Sequence, residues 1–462
     1  MTRKLIVLFV LFAAIVVPAE AKRRPVQPRE TRDSTYLDVS LRVSNWLAAM
    51  AQPAGERLAW PYDAATPRFT APGLPGTAGV GTFYLRLYQV TRDPRHLANA
   101  NAAANEVAAT LLPATHFDWQ AGSVGCGSFL LALYRETRDP EQLRRAQRVA
   151  DSLLAQAIPD GNGGLYWLDS RTPNTIYTGM AHGAAGVAML LLQLHEQSPD
   201  ARYLGAAESA LQWIARHTVP LGANGIGWKR LTTDNHAYHG WCGGSAGILF
   251  VLAKAYELIG NDAYRTLLVK TADGLVAAGR PERVGLSWPQ TSNGNGSFLV
   301  YCHGSGSVIG ALTVAYEVTG DSRYLATARA AVDFLDDVGE RHGEGRTWPQ
   351  VERGDLRQYG LMIGTASIGH AVLRLYRHDR DPRLLDLARA AAAFLIAEAD
   401  APGDSQTSWP TLAEPVPARY ANDQSTRTGW WDGTSGIAMF LLELHDYTNG
   451  RQPPADFSPA NP

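Results

Sequence analysis

Cysteine is scarce in this chain, with three residues in 462, too few for a complete disulfide framework, so a packed core must hold the fold. An excess of charge of one sign is also missing. Lys and Arg number 42 against 44 Asp and Glu, a formal net charge of -2, which leaves no electrostatic footprint for nucleic acid. Long apolar runs are absent beyond the first residues, so nothing later in the chain reads as a membrane span. What remains, 45% hydrophobic and 19% charged residues, is the composition of a globular protein.

The one apolar run has a specific reading. Arg3 and Lys4 precede Leu5 to Val17, which ends in Pro18 and the small-x-small sequence Ala19-Glu20-Ala21. These are the three parts of a secretory signal peptide, so residues 1–21 are expected to be cleaved and the product secreted or periplasmic, free of the membrane. An uncleaved anchor is the alternative, because Lys22, Arg23 and Arg24 follow directly. Residues 22–35 read as a flexible, Arg-rich leader and 449–462 as a disordered, Pro-rich tail. Export would bring the thiols into an oxidising compartment, where metal ligation protects them.

Between these ends the chain repeats. A G-x-x-G turn recurs seven times, beginning at Gly76, Gly122, Gly183, Gly244, Gly304, Gly364 and Gly433, with serine as the last residue of two copies, Ser307 and Ser367. Each turn leads into apolar residues at helical spacing, such as Ile248, Leu249, Leu252 and Ala255, and then into a second helix with a charged face. A tryptophan stands 16 residues before the turn in five copies: Trp60, Trp167, Trp228, Trp288 and Trp348. Superhelical repeats of the tetratricopeptide type have a period of about 34 residues, much shorter than this one. The expectation is an all-α fold over residues 36–448, an α/α toroid of about seven αα-hairpins whose inner helices all start at one mouth. The helical pattern near Tyr36 would supply the outer partner of the first inner helix, and glycine loops such as Gly161-Asn-Gly-Gly and Gly294-Asn-Gly would line the mouth.

Three turns carry unusual residues. Ala181-His182-Gly183, Trp241-Cys242-Gly243-Gly244 and Tyr301-Cys302-His303-Gly304 place His182, Cys242 and Cys302 at intervals of 60 residues. The same phase in successive repeats brings two thiols and two imidazoles to one place. Zinc is the usual metal of such donors, and two Cys with one His leave a fourth position open, a catalytic rather than a closed structural pattern. Cys126, in Gly125-Cys126-Gly127 with no histidine beside it, reads as a small core residue.

These motifs, in this order within seven repeats, resemble the lanthionine synthetase C-like proteins, the cyclases of lanthipeptide biosynthesis and their free-standing relatives. The resemblance covers nearly everything after the leader. It implies an α/α toroid with a catalytic zinc held by Cys242, Cys302 and His303, a pocket histidine acting as acid and base at His182, and a pocket aspartate at Asp118. Read without the family, Asp118 is a capping or loop carboxylate. The implied reaction adds a thiol to a dehydroalanine or dehydrobutyrine residue, so the expected partners are a dehydrated peptide, or a small thiol and a dehydroamino acid. Departures from the pattern are Gly243, where cyclases commonly carry an aromatic residue, Tyr238, where some have arginine, and the two serines. Two other readings stay open: a carbohydrate-active toroid enzyme, which would need paired carboxylates and aromatic sugar platforms, and a noncatalytic zinc-stabilised peptide-binding module.

Overall fold

The structure, a computed structural model, describes residues 34–66, 70–111, 116–169, 174–401, 405–420, 423 and 425–454. The expected signal peptide and residues 22–33 of the leader lie outside these. The helix α1 (Thr35–Met50) is followed by the pairs α2 and α3 (Thr77–Thr91, Pro94–Thr110), α4 and α5 (Ser123–Thr137, Pro140–Gln156), and α6 and α7 (Ala184–Gln197, Ala201–Ala215). The pairs α8 and α9 (Ser245–Ile259, Asp262–Ala278), α10 and α11 (Ser305–Thr319, Ser322–Val338), and α12 and α13 (Thr365–Tyr376, Pro382–Ala397) come next, and α14 (Thr434–Thr448) closes the series. Among the described residues no helix is long and apolar enough to cross a membrane.

Seven helices, α2, α4, α6, α8, α10, α12 and α14, form an inner ring and the other seven wrap it. The inner helices are buried almost all round, as their continuous apolar sequences require. Six of the outer ones, all but α1, begin at Asp93, Asp139, Asp200, Asn261, Asp321 and Asp381, each accepting a hydrogen bond from the backbone N–H two residues on. Contrary to the sequence reading, α1 packs mainly on α14, where the Ser40 hydroxyl meets the Ala438 carbonyl at 3.4 Å, rather than on the first inner helix. It still reaches α2, since the Tyr84 hydroxyl donates to the Ser44 carbonyl at 3.0 Å, so it straddles the seam between first and last repeats.

The linkers hold short antiparallel hairpins that helical periodicity gave no sign of: β1 and β2 (Gln52–Ala54, Arg57–Ala59), β3 and β4 (Ile158–Pro159, Leu165–Tyr166), β5 and β6 (Thr218–Leu221, Gly225–Trp228), β7 and β8 (Arg280–Pro281, Leu286–Ser287), and β9 and β10 (Glu340–His342, Gly345–Thr347). The repeat tryptophans sit at or just past the second strands, almost wholly buried. The indole N–H of Trp60, Trp167, Trp288, Trp348 and Trp409 donates to the carbonyl of Leu47, Leu153, Leu275, Leu335 and Leu395 at 2.7–2.8 Å, and Trp228 turns to the Thr271 hydroxyl instead at 2.8 Å. Each is a bolt between a linker and an outer helix, with no face free to stack on a ligand.

Closure of the ring is written in the backbone. Leu74 N–H donates to Gln120 O (3.2 Å), Trp119 to Ala181 O (2.9 Å), Ala181 to Cys242 O (2.8 Å) and Cys242 to Cys302 O (3.1 Å). Cys302 donates to Met362 O (2.8 Å), Met362 to Trp431 O (3.0 Å), and Trp430 back to Leu74 O (2.8 Å). The seven turns thus form one unbroken circle of main-chain hydrogen bonds. At the C-terminus, residues 449–454 of the expected tail follow α14, with the Pro453 carbonyl accepting from Arg377 at 3.3 Å; residues 455–462 lie outside the described ones.

Candidate metal and acid–base site

Cys242 and Cys302 are adjacent links of that circle, each three residues before an inner helix, α8 and α10. The serines that depart from the turn pattern strengthen it here. Ser307 Oγ accepts from Trp241 N–H at 3.1 Å and Ser367 Oγ from Tyr301 N–H at 3.2 Å, so each pins the residue before a cysteine. Gly240 is needed for the approach, since a Cβ there would lie 2.5 Å from both the Cys302 carbonyl oxygen and His303 Cα.

The ligand atoms of Cys242, Cys302 and His303 all lie within 4.8 Å of one another. In this structure the two sulfurs are joined as a disulfide, a form in which neither can be a thiolate ligand; the set can hold a metal only after reduction. Its chemistry otherwise suits zinc, being two thiols and an imidazole with no carboxylate among them. Burial first, then the charges of Arg230 and His182, push the His303 imidazole down to about 4, so it is neutral with a lone pair to give. Cys126 lies apart in α4. Its thiol donates to the Pro72 carbonyl at 3.3 Å, and burial, helped by Asp118, pushes it up to about 12, as befits an inert core residue.

His182 and Asp118 come from neighbouring turns and meet. His182 Nδ1 is 3.2 Å from Asp118 Oδ2, with the carboxylate buried and the imidazole about one third exposed. The other carboxylate oxygen, Oδ1, accepts from Ala121 N–H at 2.7 Å, so Asp118 is a loop carboxylate that also meets His182, and Gly122, not Asp118, is the N-cap of α4. A carboxylate can only accept, which places the His182 proton on Nδ1 and leaves Nε2 unprotonated in the neutral ring. Tyr177 packs against the imidazole, with ring centroids 5.6 Å apart.

Cys242, Cys302, His303 and His182 border one cavity of about 160 Å³, completed by Gln120, Arg230, Tyr238, Gln290, Ile363 and Trp431 among others. Trp431 belongs to a cluster with Trp119, Trp241 and Trp430. The two glycine loops expected at the mouth are not part of its wall. Gly161 to Gly164 form the tip between β3 and β4, held by Asp160, and the Gly294 carbonyl accepts from Arg280.

A family profile described as lanthionine synthetase C-like protein matches residues 63–366 and 329–453, most of the chain. The chain belongs to the lanthionine synthetase C-like family. Solved structures share its fold at low identity. A sugar epimerase from a ruminal bacterium matches with TM-score 0.52 and 13% identity, over 89% of this chain and 98% of that one. An inactive variant of a Salegentibacter α-1,6-mannanase, in complex with α-1,6-mannotetrose, gives 0.51 and 13%, over 89% and 99%. An α-mannanase from Bacteroides thetaiotaomicron gives 0.50 and 14%, over 89% and 96%. Such likeness shows the α/α toroid and nothing about the reaction.

Within this lanthionine synthetase C-like site, Arg230 is the residue that turn-based reading misses. Its guanidinium carbon lies 5.8 Å from the Tyr177 ring centre and 5.0 Å from that of Tyr238, and its buried Nε has no hydrogen-bond partner among the described residues. Two of the departures noted above are linked through it. A Cβ on Gly243 would lie 2.6 Å from Arg230 Cγ, so the missing side chain at 243 makes the room that the arginine fills, with Tyr238 beneath its guanidinium. One signal could have found it: counting two residues past each repeat tryptophan gives Tyr62, Asp169, Arg230, Gln290 and Gln350, and two of these, Arg230 and Gln290, line the cavity.

Proposed function

We propose that this protein joins a thiol to the β-carbon of a dehydroalanine or dehydrobutyrine residue, forming a thioether, with Cys242, Cys302 and His303 as ligands of a catalytic zinc. The observation that carries the reading is the His182–Asp118 pair, whose imidazole borders the same cavity as the Cys-Cys-His set. Cys242, Cys302 and His303 would hold the zinc, which when bound would supply Lewis acidity that makes a substrate thiol easier to deprotonate while keeping it nucleophilic.

The chain's own residues then have distinct tasks. His182, its Nδ1–H held by Asp118, takes up the thiol proton on Nε2 and becomes an imidazolium beside the carboxylate. Sulfur attacks the β-carbon, the C–S bond forms, and the π electrons of the alkene move to the α-carbon and its carbonyl as an enolate. Arg230, a cation in the cavity wall, offsets the charge on the enolate oxygen. His182 returns the proton to the α-carbon, so S–H has been added across C=C with nothing else consumed. Trp431 and Ile363 contribute apolar wall that limits water.

The residues bordering the described cavity include no Asp or Glu, whereas glycoside hydrolysis calls on a pair of carboxylates. Together with the buried tryptophans, this favours thiol addition over sugar chemistry. The test is zinc stoichiometry measured beside the rate of thiol addition to a dehydroalanine peptide, after reduction. Cys302→Ala should lose both. His182→Asn should keep zinc and slow the addition by on the order of 100-fold. Loss of zinc from His182→Asn would make that histidine a ligand, and an unchanged rate would remove it from the chemistry.

A further inference from the structure

The opposite end of the inner ring holds a second and larger cavity, of about 590 Å³, within the range of about 300–1000 Å³ usual for small-molecule sites. It is formed by the C-terminal ends of α4, α6, α8, α10 and α12, one helix length, about 22 Å, from the cysteines. Its charges do not balance. Three glutamates line it, and each is engaged: Glu196 with Arg135 (3.4 Å) and Lys254 (2.6 Å), Glu257 with Lys254 (3.3 Å), and Glu317 with His378 (2.6 Å).

Three guanidinium groups make no direct ion pair with a carboxylate among the described residues, although Arg374 and Arg377 lie near enough to Glu317 to help hold its carboxyl below the usual range. Arg138 donates to the Gln197 side-chain carbonyl at 3.2 Å and Arg377 to the Pro453 backbone carbonyl at 3.3 Å, both neutral acceptors. Arg374 is only 6% exposed, and its Nε is buried with no hydrogen-bond partner among the described residues. The nearby Glu443 is taken by His370 at 2.7 Å. Basic residues at helix C-termini offset the helix dipole, which accounts for Arg135, also on a last turn but ion-paired. The dipole does not account for a buried guanidinium that borders an open cavity with its Nε left without a hydrogen-bond partner, because burying a charge is costly unless it is hydrogen-bonded.

We infer that this cavity binds a small organic anion carrying two or more carboxylate or phosphate groups, gripped by Arg374 with Arg138 and Arg377. The guanidinium fork matches either group in bidentate fashion, and both share the same oxyanion chemistry. Between the arginines, Phe250, Ala253 and Val314 provide an apolar strip for the carbon frame of such a ligand, with the Phe250 ring 5.5 Å from the Arg374 guanidinium. The near-zero net charge of the chain argued against extended polyanions, and this local surplus is of a different scale.

Calorimetric titration of the intact protein with propane-1,2,3-tricarboxylate and with propane-1,3-diphosphonate tests the inference and separates the two kinds of oxyanion. At least one should bind with one-to-one stoichiometry, and propionate at least about 10-fold more weakly, since it can satisfy a single guanidinium. Arg374→Met should weaken that binding by about 10-fold or more while leaving the ligand-free thermal midpoint little changed, because the guanidinium it removes is buried without a direct ion pair. Arg138→Asn keeps the left-handed backbone at that position (φ 58° in the equivalent Arg92, 56° here) and weakens binding too, which covers the case that the buried variant fails to fold. No saturable binding of either probe, or equal binding by parent and both variants, would overturn the proposal.

Discussion

Arg230 is the residue on which the proposed chemistry most depends beyond its expected members. A cation that lowers the energy of an enolate acts in the transition state and leaves the ligands alone, so Arg230→Met should retain zinc and slow addition by on the order of 100-fold. The measurement is the addition rate beside the metal content; equal rates would assign the arginine to packing against Tyr177 and Tyr238. Turn phase brought His182, Cys242, Cys302 and His303 together in the sequence reading, whereas Asp118 and the division into ligands and acid–base group were implied by the family resemblance and not by spacing. Arg230 could not be read that way. It follows a strand, and its place in the cavity depends on what Gly243 omits, a relation between two positions that no single motif contains. The same holds for the disulfide between Cys242 and Cys302: phase shows that two sulfurs meet, and says nothing of their oxidation state.

Among elements, the outer helices other than α1 are the most legible. Their Asp and Asn caps, three followed at once by proline, announce the starts. The hairpins were hidden because two-residue strands such as β3 and β7 carry too few residues for a period of two to show. Cap chemistry gives a pH signature. Hydrogen bonds from the Arg95 side chain and then its backbone N–H bring Asp93 down to about 2, and Asp200, Asp321 and Asp381 are lowered by Arg202, Arg323 and Arg383 in the same way. A carboxyl lowered on folding stabilises above its unfolded value of 3.8 and ceases to do so as pH falls toward about 2. Urea unfolding of Asp93→Ala should therefore show a lower midpoint than the parent at neutral pH, with the gap closing on acidification through that window. The tryptophan bolts make a second prediction. Trp288→Phe removes the donor that satisfies the Leu275 carbonyl and should cost about 1–3 kcal/mol in the same assay; no loss would mean that water replaces the indole.

At the scale of the molecule, the period made a closed ring the expectation, but not the contacts that close it, because they join residues far apart in the chain, such as Trp430 and Leu74. Loops at a cavity mouth ordinarily exchange their amide hydrogens quickly. Here the amides of Cys242, Cys302, Met362 and Trp430 should be as slow as those within the inner helices, since releasing one means parting two repeats; hydrogen–deuterium exchange with site resolution would show fast exchange if the circle were loosely made. There is a further side to this circle. Its links are main-chain atoms, so apart from glycines such as Gly240, Gly360 and Gly429, where a Cβ would strike the next turn, closure places little demand on which side chains stand at the mouth. The reactive groups are tenants of a frame that does not need them, and a mouth of this kind can be refurnished for a different chemistry while the walls stay up.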